Sequence, residues 1–153
     1  MKRMFLIVSM FFLCNVVFAQ HFDGLIERYG AEKKADVVNI SSGMMKVARL
    51  FVGGKEKKLF KMIDDMKILS LKNCSEEVKE RFLEEIRIAE PQGYETALHS
   101  DKKGNKSKVF ARKSGEKDVA YKMVVASVEN KGDVAIMIMN GKFILSEVAE
   151  IFK

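Results

Sequence analysis

A change of hydrophobic period at the only proline, Pro91, limits the folds open to this chain. From Tyr94 onward apolar residues alternate with polar ones, or run unbroken, in four stretches: YETALHS, SKVFARKS, DVAYKMVVASV and DVAIMIM. A repeat of two belongs to β-strands, whose side chains point to opposite faces in turn. The joins between them, DKKGNK, SGEK and ENKGD, are short, polar and each contain glycine. Connections this short return the chain alongside the strand it has just left. Four strands in an antiparallel meander are therefore expected in the second half.

Before Pro91 the repeat is helical. Phe22, Leu25, Ile26 and Tyr29 fall at i, i+3, i+4 and i+7, with Gly30 as a stop. The β-branched segment Val37 to Ile40 reads as a strand. Ser41 or Ser42 suits the cap of a following helix with Met44, Ala48 and Phe51 on one face. Gly53-Gly54 breaks that helix. KEKKLFKMIDDM then reads as a further helical run over Leu59, Met62, Ile63 and Met66, with KILSL as a strand after it. In SEEVKERFLEEIRIA, Ser75 is placed as N-cap, Glu76 and Glu77 favour the dipole, and Val78, Phe82, Ile86 and Ala89 form the apolar stripe. Pro91 and Gly93 end it. After Asn140-Gly141, FILSEVAEIFK is expected to be a last helix capped by Ser146, with Val148, Ile151 and Phe152 inward. The fold class that follows is α+β, a mainly antiparallel sheet with helices packed on one face.

The N-terminus carries an address. Lys2 and Arg3 precede an apolar run from Met4 to Leu13, and Val17-Phe18-Ala19 offers small residues for signal peptidase. The run is broken by Ser9 and Asn15, short of the roughly 20 apolar residues a transmembrane helix needs. Leu13 before Cys14 is a poor fit to lipid attachment, which requires a small residue there. Residues 1–19 are therefore expected to be a signal peptide, and 20–153 a single domain, periplasmic or secreted. Loss of Lys2 and Arg3 lowers the formal charge from +6 to +4. Cations and acids are interleaved along most of the chain, which reads as a solvated surface. Only Cys74 then remains, so no internal disulfide is expected and stability must come from the core.

No constellation for chemistry stands out. Cys74 precedes a helix N-terminus, where a thiolate is favoured, yet Glu76 and Glu77 oppose its ionisation. Its only possible imidazole bases are His21 and His99, neither close in sequence. Met44, Met45, Met62, Met66, Met123, Met137 and Met139 could in principle offer thioethers to copper(I), but each sits in an apolar pattern and reads as core. Asp64-Asp65, Glu76-Glu77 and Glu84-Glu85 are sequence neighbours, which do not face each other on a helix. Gly53-Gly54 lacks the lysine-serine pair of a phosphate loop. Lys102, Lys103, Lys106 and Lys108 surround a glycine turn and are expected at a hairpin tip, able to meet an acidic partner or anionic head group. Catalytic, cofactor and metal sites are all expected to be absent, and nucleic acid is disfavoured by export and by the lack of a basic-aromatic stripe.

An exported chain with FDGLIERYG, VVNISSGMMKVARLF, KILSLKNC before a helix, and VAIMIMNGKFILSEVAEIF at its end resembles the secreted bacterial family described as domain of unknown function 4252. The likeness runs from Phe22 to Phe152. It implies a small exported protein of Gram-negative bacteria with no assigned activity, and at most a link to envelope signalling. It supplies no functional residues. The function expected is a non-enzymatic interaction or regulatory module with an envelope protein as partner. The alternative is a binder of a small apolar or amphipathic ligand lined by Met123, Met137 and Met139. The sequence leaves membrane association open.

Overall fold

The computed structural model describes residues 21–88, 94–130 and 132–151. The leader with Cys14, the helix stop at Pro91 and Gly93, and Phe152 lie outside the described residues. The chain runs α1 (His21–Gly30), β1 (Asp36–Ile40), α2 (Ser42–Phe51), α3 (Gly54–Met62), β2 (Ile63–Ser70) and α4 (Glu76–Ile88). It continues through β3 (Glu95–Lys102), β4 (Asn105–Lys113), β5 (Val119–Val128), β6 (Val134–Ile144) and α5 (Leu145–Ile151). All six strands form one sheet in the order β1-β2-β6-β5-β4-β3, antiparallel at every pairing.

The β3–β6 meander follows from its turns. At the β3–β4 tip Lys102 pairs with Asn105, and Lys103 and Gly104 between them have φ of 53° and 82°. Two positive φ values in a two-residue loop match the strand twist, and glycine adopts the second without strain. The Asn105 side chain then accepts a hydrogen bond from the Asn130 N–H at 2.8 Å, tying this turn to the β5–β6 turn.

The chain is α+β, but its helices divide between the two faces of the sheet instead of gathering on one. The cause lies in β5 and β6, whose apolar runs leave no polar face. Ile136 and Ile138 point to one side with Val124, Phe110 and Leu69, where α1 supplies Phe22, Leu25, Ile26 and Tyr29, and α4 supplies Val78, Phe82 and Ile86. Met137 and Met139 point to the other side with Met123, Met66 and Val109, against Met45 of α2, Leu59 and Phe60 of α3, and Val148 of α5. Strands apolar on both faces must be covered on both.

Two element boundaries differ from expectation. The helical run of residues 55–66 stops at Met62, and Ile63 to Met66 is strand, paired with Gly141 through Met139 of β6. Apolar spacing at Leu59, Met62, Ile63 and Met66 suits either period locally, and pairing with a central strand decides it. Likewise Asn140-Gly141 does not end β6, which continues to Ile144. Gly141 is instead a point of close approach: a Cβ there would lie 1.9 Å from the Met62 carbonyl oxygen, where α3 passes into β2. The cap of α5 comes from the β4–β5 turn, with Asp118 accepting from the N–H groups of Leu145 through its carbonyl and of Ser146 through its carboxylate.

Candidate functional site

The structure separates the residues that could have made a nucleophilic site. Cys74 is buried, and its thiol donates to the Lys33 carbonyl oxygen at 3.6 Å. Burial, followed by the nearby Glu32 carboxylate, pushes its pKa up, away from the thiolate. His99 lies on β3, four strands away from β2, or roughly 19 Å at about 4.8 Å per strand. His21 has its side chain outside the described residues. Around Cys74 is an open hollow of about 490 Å³, lined by Glu32, Lys33, Lys34, Asn73, Ser75 and Val78. Its charged groups are one carboxylate, Glu32, and two lysines, Lys33 and Lys34.

The other candidates are absorbed into the scaffold. Met45, Met66, Met123 and Met139 are buried in the layer between the sheet and α2, α3 and α5, with Met62 and Met137 partly so. Glu85 accepts from the Tyr29 hydroxyl at 2.7 Å and from Arg28 at 2.6 Å, joining α1 to α4. Burial and this hydrogen bond hold the Tyr29 phenol up to about 12. Asp65 accepts from the Asn140 amide at 2.8 Å, so one of the paired aspartates joins β2 to β6. A second hollow, about 310 Å³, is lined by Arg112, Lys113, Tyr121, Lys122 and Asn140. Its lysines are already committed, Lys122 to Asp23 and Lys113 to Glu95, each at 2.7 Å. Of the hairpin lysines, Lys102, Lys103 and Lys106 are exposed at the tip, whereas Lys108 is half-buried with its ammonium 5.4 Å from the Phe110 ring centroid. Among the described residues no three His, Cys, Asp or Glu side chains converge as a metal site, and no helix is long and apolar enough to cross a membrane.

What stands out is α2. Ser41 caps it, its Oγ accepting from the Met44 N–H at 3.4 Å. Met45 is its one fully buried side chain. At 100° per residue, Met44, Val47, Leu50 and Phe51 share an arc of about 120°. That arc is uncovered: the four are 57, 57, 81 and 84 % exposed. An apolar stripe of this width ordinarily faces a core. On the same side of the sheet the edge strand adds Val38, which opposes Ile68.

The stripe is held in place, because Arg49 on the inner side of α2 donates from Nε to the Phe60 carbonyl at 2.9 Å and from its guanidinium to the Ile63 carbonyl. A cation on the last carbonyls of α3 both caps that helix and staples α2 to it. The expected Met44–Ala48–Phe51 face exists, then, but it is turned outward, with Met45 as the anchor. The amphipathic pattern was visible in the sequence; its exposure was not, since a covered and an uncovered stripe read alike.

With the fold in view, the family model described as "Domain of unknown function (DUF4252)" matches residues 29–151. The chain belongs to this family. The DUF4252 match includes the whole of α2 and β1 and begins at the end of α1, so the Phe22–Ile26 core turn lies ahead of it. No curated protein and no solved structure matches the chain.

Proposed function

We propose that this DUF4252 protein is an exported, periplasmic or secreted, non-enzymatic interaction or regulatory module of the bacterial envelope, and that the outward face of α2 is its contact surface. The observation that carries the reading is the exposure of Leu50 and Phe51, at 81 and 84 %, on a helix tied to the end of α3 by Arg49. Large apolar patches on folded proteins mark contact sites for other molecules. Support for export comes from Lys2-Arg3, the apolar run and Val17-Phe18-Ala19. The absence of enzymatic activity is proposed because several of the groups able to do chemistry are engaged: the Cys74 thiol is buried with its pKa pushed up, and Asp65, Glu85 and Lys122 are bonded within the fold.

A photo-crosslinking amino acid placed at position 51 in cells of the native host tests this reading. Adducts are expected at 51 and not at Lys117, an exposed turn residue remote from α2 in sequence. No adduct at 51, or equal adducts at both, refutes it. The alternative reading, a binder of a small apolar ligand against Met123, Met137 and Met139, draws on the flexible methionine-rich layer beneath α2, α3 and α5. A small mass retained by the natively purified protein supports it, and a clean apo mass counts against it.

A further inference from the structure

The charge of the chain is not spread evenly. Residues 42–62, which are α2, α3 and their join, carry Lys46, Arg49, Lys55, Lys57, Lys58 and Lys61 against Glu56 alone. That is a net +5 within a chain of formal charge +6. Lys2 and Arg3 account for +2, so everything else from Gln20 onward sums to −1. Elsewhere several cations are matched, Lys72 with Asp133, Lys79 with Glu76, Lys113 with Glu95, Lys122 with Asp23 and Lys142 with Glu116, although among the described residues Lys102, Lys103 and Lys106 at the β3–β4 tip stand exposed without an ion pair. Among the described residues none of the five lysines of α2 and α3 forms an ion pair, and all are exposed. The exposed apolar arc of α2 is therefore bordered by Lys46 and followed directly by four unpaired lysines.

We infer that this surface docks on an anionic phospholipid bilayer, with Met44, Val47, Leu50 and Phe51 entering the interface and the lysines meeting lipid phosphates. The inference rests on the contact surface proposed above and names its occupant. A short amphipathic helix with an apolar arc and flanking lysines binds membranes by both terms together, apolar burial and attraction to anionic lipid. A second copy of the chain fits poorly, because a two-fold interface would set one +5 segment against another. An acidic protein fits less well than lipid for a chemical reason. Protein interfaces are enriched in arginine and depleted in lysine, whereas the only arginine here is turned inward onto the Phe60 and Ile63 carbonyls. Lysine, a flexible point charge, suits a diffuse layer of head groups.

The test is vesicle co-sedimentation of the protein purified from its own host, at low salt, with phosphatidylcholine vesicles and with phosphatidylcholine–phosphatidylglycerol vesicles. Binding at least tenfold stronger to the anionic vesicles is expected. It should fall at least tenfold in Leu50→Glu/Phe51→Glu, and about a hundredfold in Lys57→Ala/Lys58→Ala/Lys61→Ala, from roughly fivefold per lysine. The altered side chains are surface ones, and circular dichroism checks that both variants fold. Equal partitioning to both vesicle types, no partitioning, or partitioning unaffected by either variant overturns the inference. So does a concentration-dependent dimer lost in the Leu50→Glu/Phe51→Glu variant, which assigns the face to a second copy. Protein adducts at position 51 without vesicle binding sink the lipid inference and leave the contact surface standing; absence of both sinks the two together.

Discussion

Replacing Gly141 by alanine should be among the most damaging single-methyl additions in this protein. The new Cβ would lie 1.9 Å from the Met62 carbonyl oxygen, 3.0 Å from its carbon and 3.1 Å from the Asp64 nitrogen. Ordinary carbon–oxygen contact is about 3.5 Å, so one backbone must move by more than an ångström. All three atoms belong to backbone, at the α3–β2 junction, and cannot swing aside as a side-chain tip would. Gly141 is also held against this same segment by its pairing with Ile63. Overpacking of adjustable cores costs about 1–3 kcal/mol, and with no rotamer to adjust the cost here should reach about 3 kcal/mol or more. Gly24 is the control, since a Cβ there meets nothing within 4 Å in the middle of α1. Gly24→Ala should stabilise by about 0.5–1 kcal/mol through helix propensity. Urea unfolding followed by circular dichroism measures both, with the midpoints compared at constant slope. A Gly141→Ala protein within about 0.5 kcal/mol of wild type would show that Met62 does not cross β6 at this point.

Further outcomes follow from the buried titrating groups. Cys74 should resist a thiol reagent such as DTNB at pH 8 in the folded protein and react once urea unfolds it, because burial holds the thiol up and restricts access; rapid reaction in the folded state would revive a catalytic reading. Tyr29, with its folded pKa about 12 against an ordinary 10, contributes stability that is full below pH 10 and is lost as pH rises through 12. Wild type should therefore lose more stability than Tyr29→Phe between pH 9 and 11.5, as read by urea unfolding; parallel losses would refute the assignment. At neutral pH Tyr29→Phe should cost about 1.5–3 kcal/mol, for the hydrogen bond to the Glu85 carboxylate.

The parts of the fold that could be read from the sequence are those set by local chemistry. Lys103-Gly104 required a tight turn, Ser41 or Ser42 a cap, and the alternation after Tyr94 a meander; the turn and meander are where their residues put them, and the cap is Ser41. What could not be read depends on partners distant in sequence. Ile63 to Met66 is strand because β6 lies beside it, and the helices take both faces because Met137 and Ile138 point opposite ways and each needs cover. For the candidate site, half was legible. The apolar stripe of α2 showed in its spacing, but only the packed structure shows that Met45 turns inward while Leu50 and Phe51 do not. The concentration of lysine over residues 42–62 was present in the sequence as well; read as charge interleaved along most of the chain, it passed for ordinary solvated surface.

Whether the α2 face is free of the rest of the fold is the central point, and the unfolding free energy of a Leu50→Ser/Phe51→Ser protein tests it most directly. Buried, two such side chains would cost several kcal/mol to remove. At 81 and 84 % exposure they contribute almost nothing to folding, so stability should match wild type within about 0.5 kcal/mol. A loss of about 3 kcal/mol or more would mean that the chain itself covers this helix, and that the face belongs to its core.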